Sequence, residues 1–229
     1  MTSVNPHLLS VKKDSSTITE TVLLNIVKMF RDRGWVFEEN IDKYTQQLIK
    51  NINDNNIFKL RLDVEIESEK PKRKNSKDSK KKEEDNFDGK IVVIKILPEK
   101  ITSIVKSPII GDFIDKNREN HKLLIVNSIS DKSKRQLLLN KNMEVFVEEF
   151  LMQNLLSHVC SPKYEILSKE ESEAFLKEYN ALKKQMKNMF DSDPASMYLN
   201  LKINQIVRIT RDSEVTGFSI DYRIVVPKS

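Results

Sequence analysis

Five apolar residues, Phe58, Leu60, Leu62, Val64 and Ile66, alternate with Lys59, Arg61, Asp63 and Glu65. A period of two puts one set on a buried face and the other in water, which predicts a strand with one wet face. Ile91 to Leu97 is apolar except for Lys95, the pattern of a strand buried on both sides. Residues 67–88, between the two, hold 8 Lys/Arg and 7 Asp/Glu and almost nothing apolar. Such a segment cannot offset its ordering entropy by burial, so it is expected to be a disordered, expanded hairpin loop. A second buried strand is expected at 123–126, and an alternating one from Met143 to Phe150.

A period of 3.6 appears elsewhere. Ile18, Val22, Ile26, Met29 and Phe30 form a stripe, with Thr17 and Glu20 spaced as a capping box and Gly34 at the C-terminal end. Residues 38–52 carry Ile41, Tyr44, Leu48 and Ile52 on one face, and a further helix is expected over 101–117. A polar turn from Asn127 to Arg135 leads into a short helix with Leu137 to Leu139. Strands alternating with helices predict an α/β domain over 17–150, a mixed sheet with helices, behind a flexible arm at 1–16. Beyond it the pattern changes. Ser168 and Glu171 cap a long helix carrying Phe175, Tyr179, Leu182, Met186 and Phe190. Asp193 and Pro194 open a short helix through Tyr198, and strands follow at 205–210 and 217–226. Residues 151–229 are therefore expected to form a small α+β domain.

Composition narrows the function. The four glycines, Gly34, Gly89, Gly111 and Gly217, are scattered, so neither a Walker-type loop nor a dinucleotide fingerprint can form. No apolar run reaches the ~18–20 residues that span a bilayer, and no secretory signal is visible at Met1. The single cysteine, Cys160, fits a reducing compartment. A net charge of +5 permits nucleic acid as a neighbour without requiring it. His158 and Cys160 are too few for a structural zinc site, with His7 and His121 remote in sequence, so no metal and no cofactor are expected. Asp63 suits a nuclease acid, but Val93-Ile94-Lys95 lacks the carboxylate two residues before the lysine that would complete a Mg²⁺ site. Catalytic residues are expected to be absent.

The stretch Asp193-Pro194 to Tyr198, then Gln205-Ile-Val, Arg211-Asp-Ser213 with Gly217, and Tyr222-Arg223, resembles a family signature. That family is the shared fifth subunit of eukaryotic-type DNA-directed RNA polymerases, together with its archaeal counterpart. His158 to Tyr164 resembles the family's His-x-Leu-Val-Pro-x-His with tyrosine for the second histidine, and Arg31 to Trp35 resembles its Arg-Gly-Tyr. Asn200 and Asn204 stand where the family usually has glycines, and Asp131-Lys132 where a Thr-Pro pair is usual.

The resemblance implies a non-catalytic subunit of a transcription complex, with an N-terminal jaw and a C-terminal assembly domain. It implies that Asp193, Pro194, Tyr198, Arg211, Ser213, Gly217, Tyr222 and Arg223 belong to an interface with the largest polymerase subunit. Turn chemistry plus a strand arginine is the plainer account of the same residues. Lys132, Lys134 and Arg135 would lie near downstream duplex DNA and contact phosphates independently of sequence, against the alternative of a solvated surface. Partners are then other polymerase subunits and DNA, with no membrane and no homo-oligomer. The location is the nucleus if the source is cellular, or the virion and cytoplasmic viral factory if it is a large DNA virus, towards which the scarcity of the usual glycines leans. The competing reading is a stand-alone nucleic-acid-binding protein with a degenerate nuclease-like domain.

Overall fold

A computed structural model of the chain describes residues 15–50, 56–63, 91–101, 107–158 and 160–228. The expected arm up to residue 14, the charged loop at 67–88, and Ile52, Val64 and Ile66 lie outside the described residues. The chain divides into two compact units, Met1–Gln153 and Asn154–Ser229. Both are mixtures of helices with a mixed sheet.

The first unit begins with α1 (Ser15–Asp32). The expected capping box is not its start: Thr17 lies inside the helix, where its carbonyl accepts from Thr21 Oγ1 at 2.7 Å. The C-terminal end follows expectation. Gly34, at φ +74°, donates to Arg31 O at 2.8 Å, and Trp35 donates to Phe30 O at 2.9 Å, a Schellman closure. Glycine is needed for that backbone conformation and not for space, since a Cβ there would meet nothing within 4 Å. A 3₁₀ turn (Glu38–Asn40) leads into α2 (Ile41–Lys50).

The sheet has the order β1-β2-β3-β4, built from β1 (Ile57–Arg61), β2 (Ile91–Ile101), β3 (His121–Ile129) and β4 (Met143–Val147). β1 runs antiparallel to β2, while β2, β3 and β4 are mutually parallel. The alternation of β1 holds, with Phe58, Leu60 and Leu62 buried and Lys59 and Arg61 exposed. Three spans differ from expectation. Ile101 does not start a helix; it ends β2 opposite Ile129, and α3 runs only over Pro108–Lys116. Residues 127–129 are not a turn, because β3 continues to pair with the far end of β2. The strand expected to Phe150 stops at Val147, and α5 (Glu148–Leu151) follows.

α3 and α4 (Asp131–Leu138) cover one face of this sheet, where Ile101, Ile110, Leu124, Val126, Leu137, Met143 and Val145 form a cluster. Strand alternation turns Leu123, Ile125, Glu144 and Phe146 to the other face.

In the second unit the sheet order is β5-β7-β8-β6, from β5 (Lys163–Ile166), β6 (Lys187–Phe190), β7 (Ile206–Ser213) and β8 (Gly217–Val226). β5–β7 and β7–β8 are antiparallel and β6–β8 is parallel. The capping box at Ser168 is present: Ser168 N–H donates to Glu171 Oε2 at 2.8 Å and Glu171 N–H to Ser168 Oγ at 3.2 Å. The long helix expected to follow it is not. α6 (Lys169–Glu178) ends at Asn180, which takes φ +48° while Ala181 N–H returns to Leu176 O at 3.0 Å. Asparagine tolerates the left-handed conformation better than other residues with a Cβ, so it closes the helix as a glycine would. Met186 and Phe190 then flank or join a strand instead of a helical face.

α7 (Pro194–Tyr198) is opened by Asp193, whose Oδ1 accepts from Ala195 N–H at 2.9 Å. Asn200 and Asn204 sit at φ +51° and +70°, so asparagine supplies left-handed backbone at both positions. No helix among the described residues is long and apolar enough to cross a membrane.

Candidate subunit and nucleic-acid interfaces

The signature residues of the second unit occupy three kinds of position. Asp193 and Pro194 cap α7, and Tyr198 is core: it is 1% exposed, and its hydroxyl donates to Asn154 Oδ1 at 3.1 Å. Tyr198 therefore packs within the unit and offers almost no surface. Ser213 and Gly217 close the β7–β8 hairpin, with Thr216 N–H donating to Ser213 Oγ at 3.4 Å and Gly217 at φ +75°. Arg211, Tyr222 and Arg223 are strand residues of that hairpin.

Register explains what these strand residues do. Arg223 lies opposite Val207, and Asp221 opposite Ile209, so Arg223 and Asp221 share a face with Arg211. Arg223 Nε donates to Asp221 Oδ2 at 3.1 Å, and Lys187 Nζ donates to Asp221 Oδ1 at 2.9 Å. Burial pushes the Asp221 carboxyl up, but the bonds from Lys187 and Arg223 outweigh that and hold it below its ordinary value. Tyr164 faces the same group of charges: burial raises its phenol, Asp193 adds to the rise, and Arg211 and Arg223 oppose it. The structure thus brings Asp193, Arg211 and Arg223 around Tyr164, the residue in place of the family's second histidine. On the opposite face Tyr222 stacks on Phe175 with ring centroids 4.2 Å apart, and Phe175 on Tyr179 at 4.8 Å. That aromatic ladder is half legible in the sequence, as a helical spacing of Phe175 and Tyr179.

Lys132, Lys134 and Arg135 lie within α4, whose N-cap Ser130 Oγ accepts from Ser133 N–H at 3.4 Å. They are helical and not turn residues. Lys132 and Arg135 are exposed and line a shallow concavity of about 450 Å³ with Asp131, Gln136 and Leu139. Lys134 is half-buried and lies off that lining.

The candidate catalytic and metal-binding residues are otherwise engaged. Asp63 is not a wet-face strand residue; β1 ends two residues earlier, and its carboxylate accepts from Phe37 N–H and Asn40 Nδ2, each at 3.0 Å, and from Tyr44 Oη. Burial raises this carboxyl, but those three bonds prevail and its pKa is lowered, while Tyr44 is raised to about 12 by burial and by Asp63. Lys95 is 6% exposed; its ammonium lies 5.5 Å from the Phe113 ring centroid and 3.4 Å from Ile109 O. His158 is exposed, and its Nδ1 accepts from Cys160 N–H at 3.2 Å. No group of three or more potential metal ligands occurs among the described residues.

Sequence reasoning missed a buried ionic cluster in the first unit. Arg33 forms a fork with Glu144 at 2.9 and 2.7 Å, and His121 Nε2 meets Glu144 Oε1 at 2.6 Å. The Arg33 guanidinium stacks over Trp35 at 4.8 Å, and Trp35 meets His121 edge-on at 5.3 Å. Burial pushes Glu144 up, but Arg33 and then His121 overcome it and hold the carboxyl at about 2. Lys122, 1% exposed, donates to the carbonyls of Asn117, Arg118 and Asn120 at 3.1 to 3.2 Å, closing the end of α3. One signal was available: Glu144 interrupts the otherwise apolar β4, and His121 and Lys122 open β3 just before its apolar run.

Comparison with known proteins gives the family. The family model "RNA polymerase Rpb5, C-terminal domain" matches residues 153–225. "DNA-directed RNA polymerase subunit 5" of Acanthamoeba polyphaga mimivirus is 28% identical over 97% of this chain and 98% of its own. The archaeal "DNA-directed RNA polymerase subunit Rpo5" of Methanocaldococcus jannaschii is 38% identical over 31% of this chain and 91% of its own. That of Nitrosopumilus maritimus is 41% identical over 30% of this chain and 83% of its own. With the signature residues sharing one hairpin and one capped helix, and most of each archaeal relative covered, the chain belongs to the Rpb5 family of RNA polymerase subunits.

Proposed function

We propose that the chain is a non-catalytic subunit of a multisubunit DNA-directed RNA polymerase, and that nucleotidyl transfer takes place in other subunits. Residues 151–229 serve as an assembly domain that anchors it to the largest subunit, and residues 17–150 as a jaw near downstream DNA. The observation that carries this reading is the match of 153–225 to the Rpb5 C-terminal model, in a unit whose signature residues lie on one capped helix and one hairpin. Arginine and tyrosine suit such an anchor, since they offer planar donors and large apolar area at low entropic cost. The engagement of Asp63 with Tyr44 and Asn40 argues against a nuclease-like site.

The DNA-facing role rests on α4. Lys132 and Lys134 fall within its first turn, at the end where the helix dipole is positive, while Arg135 opens its last turn. Each such placement opposes folding by roughly 0.3–1 kcal/mol, a cost that Asp131 offsets in part and that a phosphate would relieve. The match to the mimivirus protein over almost its whole length supports a large-DNA-virus source and therefore a virion or viral-factory location.

Isolation under gentle salt tests the reading. Co-purification of large polymerase subunits is expected; a lone monomer would refute it. Arg223→Ala should impair incorporation into the enzyme. Charge reversal at Lys132, Lys134 and Arg135 should leave assembly intact and flatten the salt dependence of DNA binding, by roughly one counterion for each phosphate no longer neutralised. Exchange of those two phenotypes would overturn the domain roles.

A further inference from the structure

β8 is ten residues long, but β6 pairs only with its last part, 223–226. Bonding alternates along such a strand. Val225 donates to Gln205 O at 3.0 Å and accepts from Asn204 N–H at 2.9 Å, both on the β7 side. Val226 faces the other way and accepts from Asp191 N–H at 2.9 Å. Counting back by twos, the N–H and C=O groups of Phe218 and Ile220 point away from β7, and the Phe218 carbonyl accepts there from Thr216 Oγ1 at 3.0 Å. There, no strand among the described residues pairs with 217–222.

The side chains make this edge unusual. Phe218 and Ile220 are 61% and 38% exposed and share a face with Tyr222 and its stacked Phe175. Open edges are ordinarily blunted by charged side chains, proline, a bulge or shortness; residues 217–222 hold one charge, Asp221, and it is bonded to Lys187 and Arg223 on the other face. The opposite face carries charge: Arg211, Arg223 and Lys187 outnumber Asp221 and Asp193.

We propose that an extended segment of another polymerase subunit pairs with residues 217–222 of β8, in line with β6. It sets apolar side chains against Phe218 and Ile220 and alternates them with acidic ones toward Arg211, Lys187 and Arg223. Main-chain bonds supply the pairing, and the two faces supply the register. The inference rests on the chain being a polymerase subunit and names the contact by which it is held.

Amide hydrogen exchange resolved to single residues tests it, on the full chain alone and after addition to polymerase prepared without this subunit. In the free chain Phe218 and Ile220 should exchange quickly, and the inward-facing Ser219 and Asp221 slowly. On assembly the first two should slow by at least about tenfold, as expected for newly bonded amides. Ile220→Pro removes only the outward N–H, a change edge strands tolerate. It should weaken incorporation about tenfold more than Ile220→Ala does. Assembly with Phe218 and Ile220 still in fast exchange would overturn the edge contact and leave the subunit reading standing. Equal effects of Ile220→Pro and Ile220→Ala would also overturn it. No association of the folded chain would overturn both. The wild-type exchange result decides the matter even if the proline variant misfolds.

Discussion

The two units treat their difficult groups in opposite ways. The first buries charge and satisfies it internally: Glu144 is held by Arg33 and His121, and Lys122 by three carbonyls. Its central strands are covered on both faces, and Leu123 to Val126 are all buried. The second unit, though smaller, leaves more large apolar side chains in water, Phe218, Ile220, Tyr179 and Val215 among them, against Phe37, Ile109, Leu138 and Leu139 in the first, and part of β8 has a strand partner on one side only. A buried ionic cluster that is fully paired belongs to a fold complete in itself. Exposed apolar side chains beside a strand edge without a strand partner suit the docking proposed above. The family model matches residues 153–225, nearly the whole of the second unit.

The largest expected effect would break the first half of this contrast. Glu144→Ala removes the carboxylate that the 1%-exposed Arg33 side chain grips and should cost roughly 3–5 kcal/mol. Trp35, the only tryptophan, stacks within the same cluster and reports the transition by fluorescence in a urea titration. A loss below about 1 kcal/mol would mean the pair is not holding the unit together. The same carboxyl sets an acid limit. Its pKa is depressed to about 2 in the fold from 4.5, so its contribution is full above pH 4.5 and disappears as pH falls from there toward 2. Trp35 fluorescence during acid titration should show the first unit loosening in that window.

Within the second unit, Ile206→Ala should cost about 2–5 kcal/mol, because its side chain is wholly buried. Asn180→Ala forces a Cβ-bearing residue other than asparagine into the left-handed region and should cost about 1 kcal/mol, while Asn180→Gly should cost little. Circular dichroism during denaturation of the full chain separates these. The smallest effect sharpens the contrast most. Phe218→Ser should change the stability of the free chain by less than about 0.5 kcal/mol, as expected for a surface position, while weakening incorporation into polymerase. A large stability loss would show that the Phe218 ring is already covered within the chain.

Much of this arrangement can be read along the chain, and the failures have a common cause. Local chemistry is legible: the Ser168 capping box, the Asp193 cap before Pro194, the Gly34 closure and the alternation of β1 all follow from residues a few positions apart. The helix expected from Ser168 to Phe190 fails because an apolar spacing near four also fits a helix followed by a turn and a strand. Only the left-handed Asn180 and the pairing of Lys187–Phe190 with β8 decide between them. Ile101 reads as helical because the partner that makes it a strand residue, Ile129, is 28 positions away.

The sequence by itself determined which segments are strands or helices wherever caps, turns and periodicity agree. It also excluded phosphate-cradling loops, and through the Asp193 to Arg223 signature it pointed to a family. Tertiary structure alone decided which distant residues meet. Glu144 finds Arg33 across 111 positions, and Asp221 binds Lys187 across 34. It also decided which stretch of β8 has a strand partner on one side only. Periodicity reports the face a side chain takes on its own element, whereas pairing and charge neutralisation depend on register between elements, and register is set only when the whole sheet assembles.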